Sequence, residues 1–359
     1  MSMDETANLL KRLTEADGAP GFESEVRAVV KSELAPLGDL SRDHLGSVIC
    51  TVRGQTDTPR VMLAGHMDEV GFMVRHIHES GHIYFMQLGG WWDQVLLGQR
   101  VRIKTRSSGN VIGVIGAKPP HLLTPEERGK MVVKDNMFID IGATSREEAE
   151  KTGVRVGDAI VPHSGFELLS IEGRYLSKAF DDRVGVALVI DALKQLQDKR
   201  HPNTVAGAAT TQEEPGLRGA RTSAEASQPD VAIILESDIA GDVPGIDPQI
   251  SSVKLGGGPS VQVFDNSLIP NVALRYLVMD TAQELGIPLQ LSSITGGGND
   301  GGQIQFWKRG VPTVCLAVPA RHIHSHGSII DRGDYDKALK LLVALIRKLD
   351  AQTVASLTD

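Results

Sequence analysis

Two hydrophobic textures alternate along this chain, and the change between them divides it. Residues 4–16 and 22–36 read as helices. They are joined by A-P-G-F-E-S-E, where Pro20 and Gly21 interrupt the first helix and the polar stretch Glu23 to Glu25 starts the second. L-G-S-V-I-C-T-V-R-G then predicts a strand with a turn at its end. R-V-M-L-A-G-H at 60–66 is a continuous apolar run, the kind buried on both faces of a parallel sheet. From about 70 to 165 the pattern shortens to β-type runs such as G-F-M-V-R-H-I, I-Y-F-M-Q-L, R-V-R-I-K-T and N-V-I-G-V-I-G. Turn residues separate them, as in a small β-barrel. One short helix, S-R-E-E-A-E-K-T-G, opens at Ser145 and stops at Gly153.

After 175 strands and helices alternate again. D-R-V-G-V-A-L-V-I-D-A-L-K-Q-L, residues 271–285 and Asp334–Leu349 predict helices, whereas T-V-A-G-A-A-T-T, D-V-A-I-I-L-E, L-Q-L-S-S-I and T-V-C-L-A-V predict strands. That alternation implies a three-layer α/β/α fold with a mostly parallel central sheet. Its two parts are 1–68 and 168–359, and the β-rich block 69–167 is an insertion.

Charge and cysteine content narrow the class. The net charge of −8 comes with no basic stripe, so a nucleic-acid partner is not expected. No apolar run is long enough to cross a membrane, and the amphipathic start M-S-M-D-E-T-A-N-L-L-K-R-L is unlike a secretory leader. Cys50 and Cys315 stand in apolar strand-like runs and read as buried free thiols, which suits a reducing cytoplasm.

Ligands of open α/β sheets bind beyond the carboxyl ends of the strands. Five segments deliver acids and histidines there: His66-Met67-Asp68-Glu69, Asp181-Asp182, Glu213-Glu214, Glu236-Ser237-Asp238, and the run His322 to His326. Each alone has a plainer explanation: a core histidine, a helix N-cap, an arginine partner, a solvated edge. Gathered at one rim, crowded carboxylates need a cation. Histidine and carboxylate without thiolate suits zinc, cobalt or manganese. The number of candidates exceeds one open metal site and suits two ions sharing a carboxylate.

Six motifs in order then resemble a known family, the dinuclear metallo-aminopeptidases called tetrahedral or glutamyl aminopeptidases. They are G-H-M-D-E-V-G at 65–71, K-A-F-D-D-R-V-G at 178–185, T-Q-E-E-P-G-L-R-G-A at 211–220, D-I-A-G-D-V-P-G at 238–245, G-G-G-N-D-G-G at 296–302 and P-A-R-H-I-H-S at 319–325. The resemblance implies His66 and Glu236 on a first metal and Glu214 and His324 on a second, bridged by Asp181. It makes Glu213 the general base and has the Asp68 carboxylate orient His66. Glu236 stands where the family more often has Asp, and Asp238 two residues on is the competing choice; alignment on A-G-D-V-P-G selects Glu236. His322 replaces a common Tyr and bears on pocket shape; with Gly297 and Asp300 it is expected to contact substrate.

By the same resemblance the chain is an aminopeptidase that releases N-terminal residues from short peptides, with two divalent ions per subunit, Zn2+ or Co2+ and also Mn2+, and a hydroxide between them. The insertion is then a dimerisation domain, and dimers assemble into a dodecamer. Successive side chains of an extended segment point apart, so Glu213 and Glu214 are expected to face different tasks. A carboxypeptidase or deacylase on the same layout is the nearest competitor. A glycosidase would use two carboxylates without metal. A non-catalytic assembly would not need Glu213.

Overall fold

Along the strand Arg60–His66, Val61 and Leu63 point to one side of the sheet and Met62 and Ala64 to the other. The same sorting runs through Thr204–Thr210, Val231–Ile239 and Thr313–Arg321. One face collects Val205, Ile233, Leu235, Val314 and Leu316; the other collects Ala206, Ala208, Ala232, Cys315 and Ala317. Successive strand residues face opposite sides, so the sheet has one bulky and one shallow face. The bulky face packs on Phe180–Gln195, a helix buried almost throughout, with Glu5–Glu15, Ser24–Leu34 and Arg332–Lys348 around it. On the shallow face lies Arg218–Ser227, whose buried residues Gly219, Ala220, Ser223, Ala224 and Ser227 let its backbone come close. Three layers result. This computed structural model describes residues 3–106 and 108–358. Among them no helix is long and apolar enough to cross a membrane.

Parallel pairing holds in the four central strands, ordered Thr204–Thr210, Arg60–His66, Val231–Ile239, Thr313–Arg321. The flanks run antiparallel. Val48–Arg53 and Asp39–Arg42 extend one side; Ser328–Asp331, Arg174–Ser177 and Glu167–Leu168 extend the other. The reason is connection length. A parallel neighbour needs a long crossover, usually a helix, and residues 322–327 are too few for one. Ser260–Phe264 also pairs antiparallel with Thr313–Arg321. Several of these flanking strands have only four or five residues, which is why the hydrophobic pattern did not announce them.

The β-rich block closes into a barrel, in the order Gly71–Ile77, Ile83–Leu88, Phe138–Asp140, Gly109–Gly116, Arg100–Thr105, Ala159–Pro162. Its core is mostly aliphatic, with one aromatic cluster: Phe72 stacks on Trp91 at 4.8 Å and meets Phe85 edge-on at 4.9 Å. The Pro-rich stretch 119–130 forms a 3-10 turn, Pro120–Leu122, and a short helix, Pro125–Arg128, held by a Thr124/Glu127 capping box.

A buried ion network ties the barrel to the α/β layers. Lys178, fully buried, donates to both Glu69 oxygens at 2.6 and 2.8 Å and lies 3.3 Å from Asp17. Arg183 reaches Glu69 at 3.4 Å and donates to the carbonyl of Ala16 at 2.9 Å. From the barrel, Arg102 and Lys104 both bind Asp17, at 2.8 and 3.0 Å. Removing one partner of such a network strands the others without water. Lys178→Met is therefore expected to cost about 3–5 kcal/mol of stability, read as a lowered urea midpoint, whereas truncating the exposed pair Lys118–Glu127 leaves the midpoint within about 0.5 kcal/mol equivalents.

Candidate metal centre

The parallel strands end at one edge, and the chain beyond each end carries the acids and histidines. His66 is the last residue of its strand. Glu213 and Glu214 follow Thr210, Glu236 lies near the end of Val231–Ile239, and His324 follows Arg321. Asp181 sits at the start of Phe180–Gln195.

Asp181 divides its two oxygens. Oδ1 is 3.3 Å from His66 Nε2 and Oδ2 is 3.2 Å from His324 Nε2. On the His66 side, Glu213 Oε2 and Glu236 Oε1 stand 3.7 and 3.8 Å from the same nitrogen. On the His324 side, Glu214 Oε1 stands 3.4 Å away. Two sets, His66/Glu213/Glu236 and His66/Asp181/Glu214, each bring their ligand atoms within 4.8 Å of one another.

The electrostatics of this cluster call for cations. Burial pushes Glu213 and Glu236 well above the usual carboxyl range, and neighbouring carboxylates push them further. Glu214 rises for the same reason. Burial opposes charge on His66 and His324, yet the surrounding carboxylates outweigh it. His66 stands well above its ordinary value and His324 is pushed up to about 11. Among the described residues, none donates a hydrogen bond to the buried Glu214 Oε1. An unpaired carboxylate oxygen aimed into a ring of histidine nitrogens and carboxylates is the donor chemistry of a divalent metal, so the residues present fit such ions.

Local backbone decides which member of each acidic pair faces the cluster. Asp181 and Asp182 depart from helical dihedrals, at φ −81°, ψ 105° and φ −121°, ψ 42°. Asp182 turns inward: its carboxylate accepts the main-chain N–H of Gly185 and that of His66, both at 3.0 Å. It is the helix cap, and it leaves Asp181 free. This contact needs Gly65 and Gly185. A Cβ on Gly65 would stand 2.7 Å from the Gly185 backbone, and one on Gly185 would stand 2.4 Å from Asp182. Ala179, Gln212, Leu217, His322 and His324 all take positive φ without being glycine. Such residues gather where surrounding structure imposes them, commonly at functional sites.

Two expected details come out differently. The glutamate pair is not on an extended segment: the strand stops at Thr210, Gln212 has φ 53°, and Glu213 opens a turn closed by N–H donors of Gly216 and Leu217. The two side chains still diverge, toward His66 and His324. The acceptor for His66 Nδ1 is the Asp68 main-chain carbonyl at 3.0 Å, with the Asp68 carboxylate at 3.6 Å. That carboxylate instead accepts the N–H groups of Glu213 and Glu214, at 2.9 and 3.0 Å. Asp68 thus sets the turn that carries both glutamates. Asp68→Asn turns one of these acceptors into a donor facing an N–H. It is expected to lower kcat/KM about 10–100-fold, with metal content measured alongside to separate lost positioning from lost metal.

The remaining expected residues divide. Asp238 does not reach the cluster; its carboxylate accepts from Ser260 Oγ and the N–H of Ile239. Gly297 and His322 line the adjoining cavity. Asp300 does not: its buried carboxylate faces Thr210 Oγ1, and burial lifts it to about 6. Its carboxylate is among the groups that raise Glu213. His326 is buried beside Trp91, ring centroids 5.4 Å apart, and burial lowers it to about 4. The helix cap offered for Asp181-Asp182 falls to Asp182, whereas the bracing roles of Lys178 and Glu69 escaped the sequence reading although both lie inside the quoted motifs.

A histidine–carboxylate centre of this kind at the strand ends of an α/β fold, with a cavity beside it, defines a metal-dependent hydrolase. The profile of the M42 glutamyl aminopeptidase family matches residues 46–341, and the chain belongs to that family and is a metallo-aminopeptidase. A shorter profile, AMPT, matches residues 4–29. The putative aminopeptidase FrvX of Escherichia coli K12 is 41% identical, over 96% of each chain. The crystal structure of the TET aminopeptidase from the marine sediment archaeon Thaumarchaeota archaeon SCGC AB-539-E09 superposes with a TM-score of 0.96 at 48% identity, covering 99% of each chain. Pyrococcus horikoshii TET1 peptidase, described as assembling into a tetrahedron or a large octahedral shell, gives 0.86 at 33% identity, over 96% of this chain and 100% of that one.

Proposed function

We propose that this chain releases N-terminal residues from short peptides with two divalent metal ions per subunit. The observation that carries the reading is Asp181, one oxygen toward His66 and the other toward His324. His66 and Glu236 would hold one ion, Glu214 and His324 the other, with Asp181 shared. Such ions polarise a carbonyl and lower the pKa of bound water. Glu213, on the cavity wall beside His66, takes the proton of the attacking water and returns it to the leaving amine. Asp68 holds the turn on which Glu213 stands. Zinc and cobalt both suit these donors, and manganese is accommodated.

The test is a panel of aminoacyl p-nitroanilides run after metal stripping and again after reloading with zinc, cobalt or manganese. Activity should vanish and return with metal. Turnover of an N-acetylated peptide at the rate of the free one would contradict exopeptidase action from the amino end and favour a carboxypeptidase or deacylase.

The barrel is assigned to dimerisation, and the dimers to a larger shell. Exposed Met86, Ile112 and Val114 on barrel strands, and Leu122 and Met131 on its loops, offer apolar surface for such contacts. A monomeric mass in size-exclusion chromatography with light scattering would remove this assignment. Two buried free cysteines accord with action in a reducing cytoplasm.

A further inference from the structure

We propose that the cavity beside the metal centre selects an uncharged, apolar N-terminal side chain and excludes an acidic one, a preference that rests on the aminopeptidase reading above. The cavity has a volume of about 720 Å³ and opens directly off His66, Asp181 and His324. A peptide whose first carbonyl lies at those residues has this space for its first side chain.

Away from the metal centre the walls combine aliphatic side chains with uncharged polar ones such as Gln262 and Asn266. Leu217, Ile239, Val243, Ile246, Ile294 and Ile323 all contribute. None of the described residues lining the cavity is a lysine or arginine. Arg321, next in the chain to lining residue His322, is engaged with Asp242: Nε donates to Oδ1 at 2.8 Å and Nη2 to Oδ2. A glutamate or aspartate side chain entering here leaves water and meets no cation. Burying such a charge unpaired is disfavoured strongly enough to exclude it.

One charged side chain stands in the wall apart from the metal centre. Asp265 is buried, and it is a poor receptor for a basic side chain. Its Oδ1 accepts from the main-chain N–H and the hydroxyl of Ser267 and from the N–H of Leu268, and its Oδ2 accepts from Asn299 Nδ2 at 2.6 Å. A carboxylate has about two lone-pair positions on each oxygen; three donors crowd Oδ1 and one meets Oδ2, which leaves a single position on Oδ2. Asn299 is itself fixed by Gln262 at 2.9 Å. An entering ammonium group would find only that single position, whereas a leucine or methionine side chain meets six aliphatic ones. The family name speaks of glutamyl substrates; this wall lacks the cation that a glutamyl side chain requires.

The experiment uses the full-length, metal-loaded protein and p-nitroanilides of Leu, Met, Lys and Glu. The expected kcat/KM for Leu and Met exceeds that for Glu by on the order of 10²-fold or more, and that for Lys by about 10-fold. A Glu or Lys substrate turned over as well as Leu overturns the proposal and leaves the aminopeptidase reading intact. No turnover of any of the four overturns both. Ile294→Arg supplies the missing cation at the wall. With metal content unchanged it should raise the Glu:Leu ratio of kcat/KM by about 10-fold or more. An unchanged ratio in a variant that still carries its metal overturns the assignment of this wall to the first side chain.

Discussion

Glu213→Gln is expected to abolish turnover while leaving bound divalent metal unchanged. The residue is 7% exposed, and its Oε2 lies 3.7 Å from His66 Nε2 at the edge of the cavity. Glutamine has nearly the same shape and keeps an oxygen for any neighbouring donor, but it does not accept a proton at neutral pH. The turn around it is held by main-chain bonds, from the N–H of Glu213 to Asp68 and to the Glu213 carbonyl from Gly216 and Leu217, so the substitution does not disturb its own placement. Burial, reinforced by Asp300 and Glu214, raises the basicity of the carboxylate, and a base is most useful when its pKa approaches the working pH. The expected loss is about 10²–10⁴-fold in kcat, with KM little changed. Metal analysis of the same preparation makes the result decisive. Glu213 also shares a compact donor set with His66 and Glu236; if it were a ligand instead, the variant would lose metal together with activity.

Removing ligands should separate the two ions. Glu214 stands 3.4 Å from His324 Nε2 and shares a compact donor set with His66 and Asp181, whereas Asp181 presents one oxygen to each histidine. Glu214→Ala is therefore expected to retain the ion held near His66 and lose the other. Asp181→Ala should lose both, because the two sites share its carboxylate and the remaining acids then repel without relief. Each variant, like the chelated wild type, should lose at least about 10³-fold in kcat/KM, the equivalent of several kcal/mol of transition-state charge stabilisation. Metal-to-protein ratios after equilibration with zinc provide the check. Equal metal content in the two variants would contradict the shared role of Asp181. The folded state should survive both changes, since neither residue belongs to the Lys178–Glu69–Asp17 network that joins the barrel to the sheet.

What was legible in the sequence follows from short-range physics. Continuous apolar runs such as R-V-M-L-A-G-H specify buried strands because such a segment has no solvent face, and the residue types beyond those runs specify a metal centre because clustered carboxylates and histidines need cations. These two patterns were enough for the layered fold and the inserted barrel and for five acid- and histidine-bearing segments; the family resemblance then picked His66, Asp181, Glu213, Glu214, Glu236 and His324 from those segments, and the fold brings these six together. Beyond Val48–Arg53, most of the antiparallel flank was not legible, because a four-residue strand such as Ser328–Asp331 carries too few positions to show a period.

Only the tertiary structure decided how adjacent acids divide their work. Asp181 and Asp182 look alike in sequence, yet one offers its oxygens to two histidines while the other caps a helix and holds the His66 main chain. Asp68, expected to orient His66 through its carboxylate, meets that ring most closely with its main-chain carbonyl and gives the carboxylate's hydrogen bonds to a turn. Asp300, expected at the substrate, faces Thr210 and is absent from the cavity lining. In each case the residue type was known and its direction was not. Direction depends on the backbone dihedrals at positions such as Ala179 and Gln212 and on which main-chain donors lie within reach, and both are set by segments distant in the chain.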